Sequence, residues 1–348
     1  MDRHRDQGEY GTGVGDGLAP LASLDVGAAG GVDALVRAMG HTAFGGRRLS
    51  RAADVLEAMV RDAACFRVLT ISGAMTIAKQ SLLVCEMIDR GWVHAVVATG
   101  ALMTHGLSEG TGHLHFAHDP RMRDEELYRK GYNRVYDTIE LESNLDDVEQ
   151  LLAAALADLP DDAVLSSRLV LEKIGGHLEK HAPGRAILAS ASRRGVPVYV
   201  PAFTDSELGL DLAIFNVLRR RAGRRPFVFD PYLDLDHYAD LVRAHETLGI
   251  FTIGGGVPRN WAQQVGPYLE IRRTRLGIDE PVRRYKYAVR ICPEPEHFGG
   301  LSGCSYQEGV SWGKFVPEGE GGRFAEVFAD ATIAWPFVVR AVLERLAA

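Results

Sequence analysis

Lysine is scarce in this chain. Of 39 basic residues only Lys79, Lys130, Lys173, Lys180, Lys286 and Lys314 are lysines. Lys314 stands out because it lies in the segment GVSWGKF, between Gly313 and Phe315 and two residues after Trp312. Arginine keeps its proton at any physiological pH. A partly desolvated lysine loses it and becomes a nucleophile toward electrophilic carbon. The chemistry this points to is imine formation. The same segment also fits a surface lysine whose stem lies on Trp312 after a turn.

Carboxylates cluster near this segment: Glu294, Glu296 and Glu308. Flanking a tryptophan, they suit a polyamine, whose ammonium groups take ion pairs while its methylenes lie on the ring. A solvated acidic loop explains the same pattern. His105, His113, His115 and His118 lie close together in THGLSEGTGHLHFAHDP. Their spacing matches no standard zinc pattern, so no metal is expected.

The elements that would position these groups follow an α/β rhythm. Apolar periodicity predicts helices over 32–39 and 50–64, the second with Ser50 as its N-cap, then a buried strand over 66–71. A helix over 77–89 and a strand over 93–98 complete a βαβ unit, which implies a parallel sheet. Further helices are expected over 145–159, 167–181, 233–247 and 335–346. Further strands are expected over 196–200, 226–229, 250–253, 284–291 and 323–329.

Small or hydroxyl residues follow several strands: Ser72-Gly73, Thr99-Gly100, Thr204-Asp205, Gly254-Gly255-Gly256 and Asp330-Ala331-Thr332. Glycines admit a phosphate or ribose to the backbone, and a following helix N-terminus favours its charge. Ligands of open parallel sheets bind beyond the carboxyl ends of the strands. A dinucleotide cleft and a set of tight β–α turns are both compatible with this pattern.

Composition bounds the rest. With 348 residues, 46% hydrophobic and 24% charged, the chain can bury a sizeable core without staples. A net charge of −7 argues against a nucleic-acid surface. Cys65, Cys85, Cys292 and Cys304 form no CxxC pair, which fits free thiols in a reducing, cytoplasmic compartment. No secretory signal or membrane-spanning run is apparent. Residues 1–30, rich in Gly and Asp, read as a flexible arm, and 31–348 as a single domain.

From about residue 40 onward the chain resembles deoxyhypusine synthase. The resemblance rests on EGVSWGK (308–314), FADAT (328–332), IGGGV (253–257), PAFTD (201–205), GYNRV (131–135) and TAFG (42–45), in order and with similar spacing. It implies a Rossmann-like, doubly wound fold with helices on both faces of a mostly parallel sheet. It also implies a homotetramer with active sites at dimer interfaces, and an NAD-dependent aminoalkyl transfer from spermidine through a lysine imine. Lys314 matches the nucleophile, Trp312 and Glu308 the polyamine contacts. Ser72, Gly73, Thr76, Thr99, Gly100, Asp205, Gly254, Gly255, Gly256, Asp330 and Ala331 are the expected NAD contacts.

The departures bear on substrate. Asn260 stands where the family has a histidine that serves polyamine oxidation, and Asn is no base at neutral pH. The family's acidic pair after the Thr-containing turn is replaced around Thr104-His105. A substrate aspartate falls at Leu210, with Asp211 one residue on, and another becomes Leu301. This combination points to a divergent, homospermidine synthase-like enzyme that uses a small amine such as putrescine, or agmatine, with Asn260, Asp211 and His105 in the substrate site. His105 or His297 would supply the missing base. A true deoxyhypusine synthase acting on a protein lysine, and a non-catalytic NAD- or polyamine-binding protein, are the alternatives.

Overall fold

The computed structural model describes residues 7–181, 184–300 and 302–347. In chain order the elements are α1 (Val32–Gly40), α2 (Phe44–Arg61), β1 (Cys65–Ile71), α3 (Ser81–Asp89), β2 (Ala95–Ala98) and α4 (Gly100–Gly110). A smaller unit follows: β3 (Phe116–Ala117), α5 (Asp124–Arg129), β4 (Tyr132–Val135) and β5 (Thr138–Leu141). Next come α6 (Glu142–Leu156), β6 (Val164–Leu165), α7 (Ser167–His181), α8 (Ile187–Arg194), β7 (Val198–Tyr199), α9 (Glu207–Arg221), β8 (Val228–Phe229) and α10 (Tyr232–Arg243). The chain closes with β9 (Thr247–Ile253), α11 (Gly256–Gln263), α12 (Val265–Leu276), β10 (Tyr285–Ile291), α13 (Tyr306–Ser311), β11 (Arg323–Val327) and α14 (Ala331–Ala347).

Six strands form one parallel sheet in the order β11-β10-β9-β1-β2-β7. Numbered by their succession in the chain this is 3-2-1-4-5-6 from the β7 edge, the doubly wound order of dinucleotide-binding folds. The direction of winding reverses between β1 and β9, so the crevice of such a sheet opens beyond Ile71 and Ile253. An antiparallel β3-β5-β4 sheet and a β6-β8 pair lie outside it.

Both faces are covered, which is why β1 and β9 read as near-continuous apolar runs. Leu69, Ile71, Val96, Ala98, Val289 and Ile291 pack against α1, α2, α3, α7, α8 and α14. Phe66, Val68, Ala95, Val97, Leu248 and Ile250 pack on the other side against α10, α11, α12 and α13. No helix of the described residues is long and apolar enough to cross a membrane.

Several boundaries differ from expectation. α2 begins at Phe44, so Ser50 is not a cap; it is buried within the helix against Gly40. The helix expected from 77 starts only at Ser81, because Lys79 turns the chain with φ +61°. Thr247 opens β9 rather than closing α10, since pairing with Cys65 of β1 extends the strand. α14 starts at Ala331 and carries Pro336 inside its length. Residues 8–30 are almost all exposed, two 3₁₀ turns lie at 7–9 and 14–16, and the Ala22 N–H donates to the His41 carbonyl at 3.0 Å. The first six residues of the expected arm lie outside the described residues, as does Leu301.

Candidate active site

The switch point is built by the turn after β1 and the glycine triplet after β9. The Ser72 hydroxyl accepts the Gly255 N–H at 2.9 Å and ties the two strand ends together. A Cβ on Gly254 would lie 2.3 Å from Ser72 Oγ, and one on Gly255 would lie 2.6 Å from Ser302 Cα. Neither position admits a side chain. Gly73 (φ +80°) and Gly256 (φ +58°) face open space, and no side chain caps the N-terminus of α11. Open glycine backbone beside an uncapped helix N-terminus is what a dinucleotide's phosphates require. The residues present therefore fit NAD.

The other expected NAD contacts spread along the carboxyl edge of the sheet. Thr99 caps α4, its hydroxyl accepting the Leu102 N–H at 3.3 Å. Gly100 packs against Ser206, beside the exposed Asp205. Asp330 is exposed beyond β11, accepting the Thr332 N–H at 2.7 Å, and Ala331 is buried. β11 is two strands from β9, about 10 Å at ordinary strand spacing. Thr76 is turned inward: it is 1% exposed and donates to the Leu102 carbonyl at 3.0 Å. Its hydroxyl locks α4 to the preceding turn and is not presented to a ligand.

Lys314 lies beside this crevice. Its backbone pairs with Tyr285 at the start of β10, and its Nζ donates to Asn260 Oδ1 at 3.1 Å. Asn260 sits one turn into α11, so the side chain that holds the amine shares a helix with Gly256, about 6 Å away along its axis. The amine lines a cleft of ≈ 370 Å³ with Asn260, Gln264, Cys304, Glu308 and Trp312. Burial lowers the Lys314 pKa from the usual lysine value. Cys304 opposes this, the Arg259 guanidinium reinforces it, and Glu308 opposes it again. Asn260 carries no charge with which to hold an ammonium. Trp312 is 64% exposed, and it and the exposed Glu308 are placed where an entering ammonium would meet them.

Sequence reasoning missed the frame behind this cleft. Arg259 donates to the Cys304 carbonyl at 2.6 Å; Arg290 donates to the carbonyls of Ser302 and Cys304 and pairs with Glu326 at 3.2 Å. Both guanidiniums are buried. The one sequence signal was an arginine inside the apolar run of β10, where a charge survives only with partners.

The remaining substrate candidates do not join Lys314. His105, on α4, hydrogen-bonds Glu140 of β5 through Nδ1. His297 is exposed, its ring edge-on to Phe298 at 4.8 Å. One helical residue rotates by about 100°, so Leu210 faces outward at 56% exposure while Asp211 turns inward at 8%. Burial, then Glu207, Glu149 and Asp146, push the Asp211 carboxyl up to about 7. The folded state therefore holds an extra proton between about pH 4 and 7, and stability falls as pH rises through that window. Asp211→Asn is expected to stabilise the protein above pH 7 by about 2–4 kcal/mol, with the gain fading toward pH 4. Thermal unfolding at pH 4.5 and 8 checks this; an equal shift at both would refute it.

Comparison with known proteins gives a consistent answer. The model of the deoxyhypusine synthase family matches residues 34–342. A relative from Methanosarcina acetivorans, named probable deoxyhypusine synthase 2, is 32% identical over 315 residues, covering 90% of this chain and 87% of the relative. A deoxyhypusine synthase-like protein from Chlorobaculum parvum is 30% identical over 312 residues, covering 87% and 84%. A crystal structure from Entamoeba histolytica, whose description names deoxyhypusine synthase, superposes with TM-score 0.61 at 12% identity, covering 93% of this chain and 97% of that one, and supports the fold. Together with the doubly wound sheet, the glycine crevice and the half-buried Lys314, these matches show that the chain belongs to the deoxyhypusine synthase family.

Proposed function

We propose that this protein is an NAD-dependent aminoalkyl transferase that works on polyamines through an imine at Lys314, with a small amine as acceptor. The observation that carries the reading is the Lys314 amine: half-buried, hydrogen-bonded among the described residues only to the neutral amide of Asn260, which sits one helical turn from a glycine crevice fit for a dinucleotide.

When bound, NAD supplies the redox chemistry, taking a hydride from the carbon beside a donor nitrogen and returning it to the product. Ser72 and Gly254–Gly256 would hold that group, and the uncapped α11 N-terminus would offer N–H donors to phosphate. Lys314 in its neutral form adds Nζ to the electrophilic carbon of the oxidised donor. The carbon–nitrogen bond to the departing amine breaks, and the aminobutyl group stays on Lys314. With spermidine as donor the departing amine is 1,3-diaminopropane. The acceptor amine then adds to the same carbon and expels Lys314, and hydride return leaves a saturated product. Glu308 pairs with the distal ammonium, and Trp312 covers the methylenes.

Asn260, Leu210 and Leu301 at the positions of the family's polar substrate contacts favour a small acceptor over a protein lysine. In this reading the protein is a cytoplasmic homotetramer with sites at dimer interfaces.

Borohydride trapping tests the proposal. Purified protein, NAD and either spermidine, putrescine or agmatine are reduced and analysed by intact mass and peptide mapping. One polyamine is expected to add mass on the peptide containing Lys314. No adduct from any of them would overturn the reading. An adduct whose group moves to the lysine of a hypusine-type initiation factor, and not to free amines, would replace the small acceptor with a protein.

A further inference from the structure

α9 is apolar on two sides. Leu208 and Leu212 are buried, and the helix packs on α4 and α6. The side turned away carries Leu210, Ile214 and Leu218, exposed by 56%, 54% and 48%. They recur every four residues, so each is displaced only about 40° around the axis from the last, and the three form one continuous stripe. The exposed Ala213 and half-buried Val217 widen it. Single exposed aliphatic side chains are ordinary. A stripe of them along two turns is the pattern of a helix that packs on a further partner.

The two ends of the stripe carry opposite charge. Glu207 precedes it and Arg221 follows it, each seven residues from Ile214. Seven residues fall about 20° short of two turns, so both side chains lie on the face of the stripe. Neither has an ion pair among the described residues. Their surroundings have the same polarity. Glu149 and Asp146 stand with Glu207 around Asp211 at the first end, and Arg220 and Arg225 accompany Arg221 at the other. The helix macrodipole favours these signs at these ends. It does not account for three large aliphatic side chains left in water between them.

We propose that α9 is a two-fold interface, pairing antiparallel with α9 of a second copy of this chain about an axis through Ile214. A two-fold contact is self-complementary: a residue a given number of places before the axis meets the one as many places after it on the other copy. About Ile214 this sets Leu210 against Leu218 and Glu207 against Arg221, each twice. Every aliphatic residue of the stripe then meets another, and each charge meets its opposite. Parallel pairing in register sets Glu207 on Glu207 and Arg221 on Arg221. A uniformly acidic or basic partner matches one end of the stripe and is repelled by the other. The second copy is therefore the occupant whose charge pattern fits both ends. The inference stands on α9 alone and does not depend on the chemistry at Lys314. A tetramer of closed two-fold symmetry uses more than one such face, and α9 supplies one of them.

The full chain tests this by two routes. Analytical ultracentrifugation gives the mass of the wild-type assembly. Ile214→Glu, which brings two carboxylates together on the axis, is expected to split it into units of half that mass. Glu207→Arg and Arg221→Glu, each alone, are expected to raise the dissociation constant of this contact by roughly 10²-fold, and the double variant to restore it, because opposite charges face each other again. Unfolding temperatures near that of wild type show that the variants are folded. Crosslinking fixes the register. Under mild oxidation Ile214→Cys joins to its own copy, since a disulfide needs Cβ atoms about 4 Å apart. Leu210→Cys and Leu218→Cys are expected to stay uncrosslinked singly and to join when combined in one chain. Wild type is the control, with Cys65, Cys85 and Cys292 buried. A wild-type monomer, an assembly that keeps its mass in Ile214→Glu, or a double charge variant that does not recover overturns the inference. So does a Leu210→Cys chain that crosslinks to itself, which would mean a parallel pair.

Discussion

Lys314→Arg will keep the positive charge and lose the chemistry. Arginine cannot present a neutral amine, so no borohydride-stable adduct is expected, and turnover should fall by roughly 10⁴-fold or more, as when other covalent nucleophiles are removed. Lys314→Ala should do the same. Both variants are expected to bind the dinucleotide as wild type does, because Lys314 contacts Asn260 and not the Gly254–Gly256 turn. The wild-type protein adds a pH signature. The lowered pKa of Lys314 means that its neutral fraction, and hence the trapping rate, rises with pH to a midpoint below the ordinary lysine value of 10.5. A midpoint at or above that value, or an adduct that survives in Lys314→Arg, would show that the nucleophile lies elsewhere.

Arg290→Met is the substitution expected to cost most stability. It leaves Glu326, only 14% exposed, without its ion-pair partner and removes one of two arginine donors to the Ser302 carbonyl. Removing one partner of a buried ion pair costs about 3–5 kcal/mol, because the remaining charge stays desolvated. For a chain of this length that corresponds to a fall of roughly 5 °C in unfolding temperature. A second substitution, Glu326→Gln, should restore much of the loss by removing the orphaned charge. If the double variant is no more stable than Arg290→Met, the two residues are not coupled as described.

The parallel sheet was largely legible from sequence, because burial on both faces makes β1, β9 and β10 apolar and bounds them with turn residues. α4, α9 and α11 were not. α4 contains Gly100, Gly106 and Gly110; α11 contains Gly256 and Pro258, so local propensity argued against helices that tertiary packing imposes. α9 exposes Leu210, Ile214 and Leu218 along one stripe, so its apolar pattern does not mark its buried side. Lys314 was legible from its type and neighbours. Its contact with Asn260 was not, since that depends on α11 being a helix, and neither was Glu140, 35 residues from His105 in sequence. Asp211 read as a substrate carboxylate in one dimension because sequence proximity to Leu210 hides the turn of a helix between them.

Ser302 lies over Gly255, and two buried guanidiniums hold the loop it belongs to. For a transfer that begins with oxidation and ends with reduction, such a roof amounts to custody of electrons. In the transfer proposed above, the hydride withdrawn from the donor would return to the product of the same turnover. No outside reductant needs to enter, and a half-finished, oxidised product has no easy exit. On that proposal, the anchoring of Ser302 and Cys304 by buried arginines would favour a redox-neutral exchange over a leaky amine oxidation.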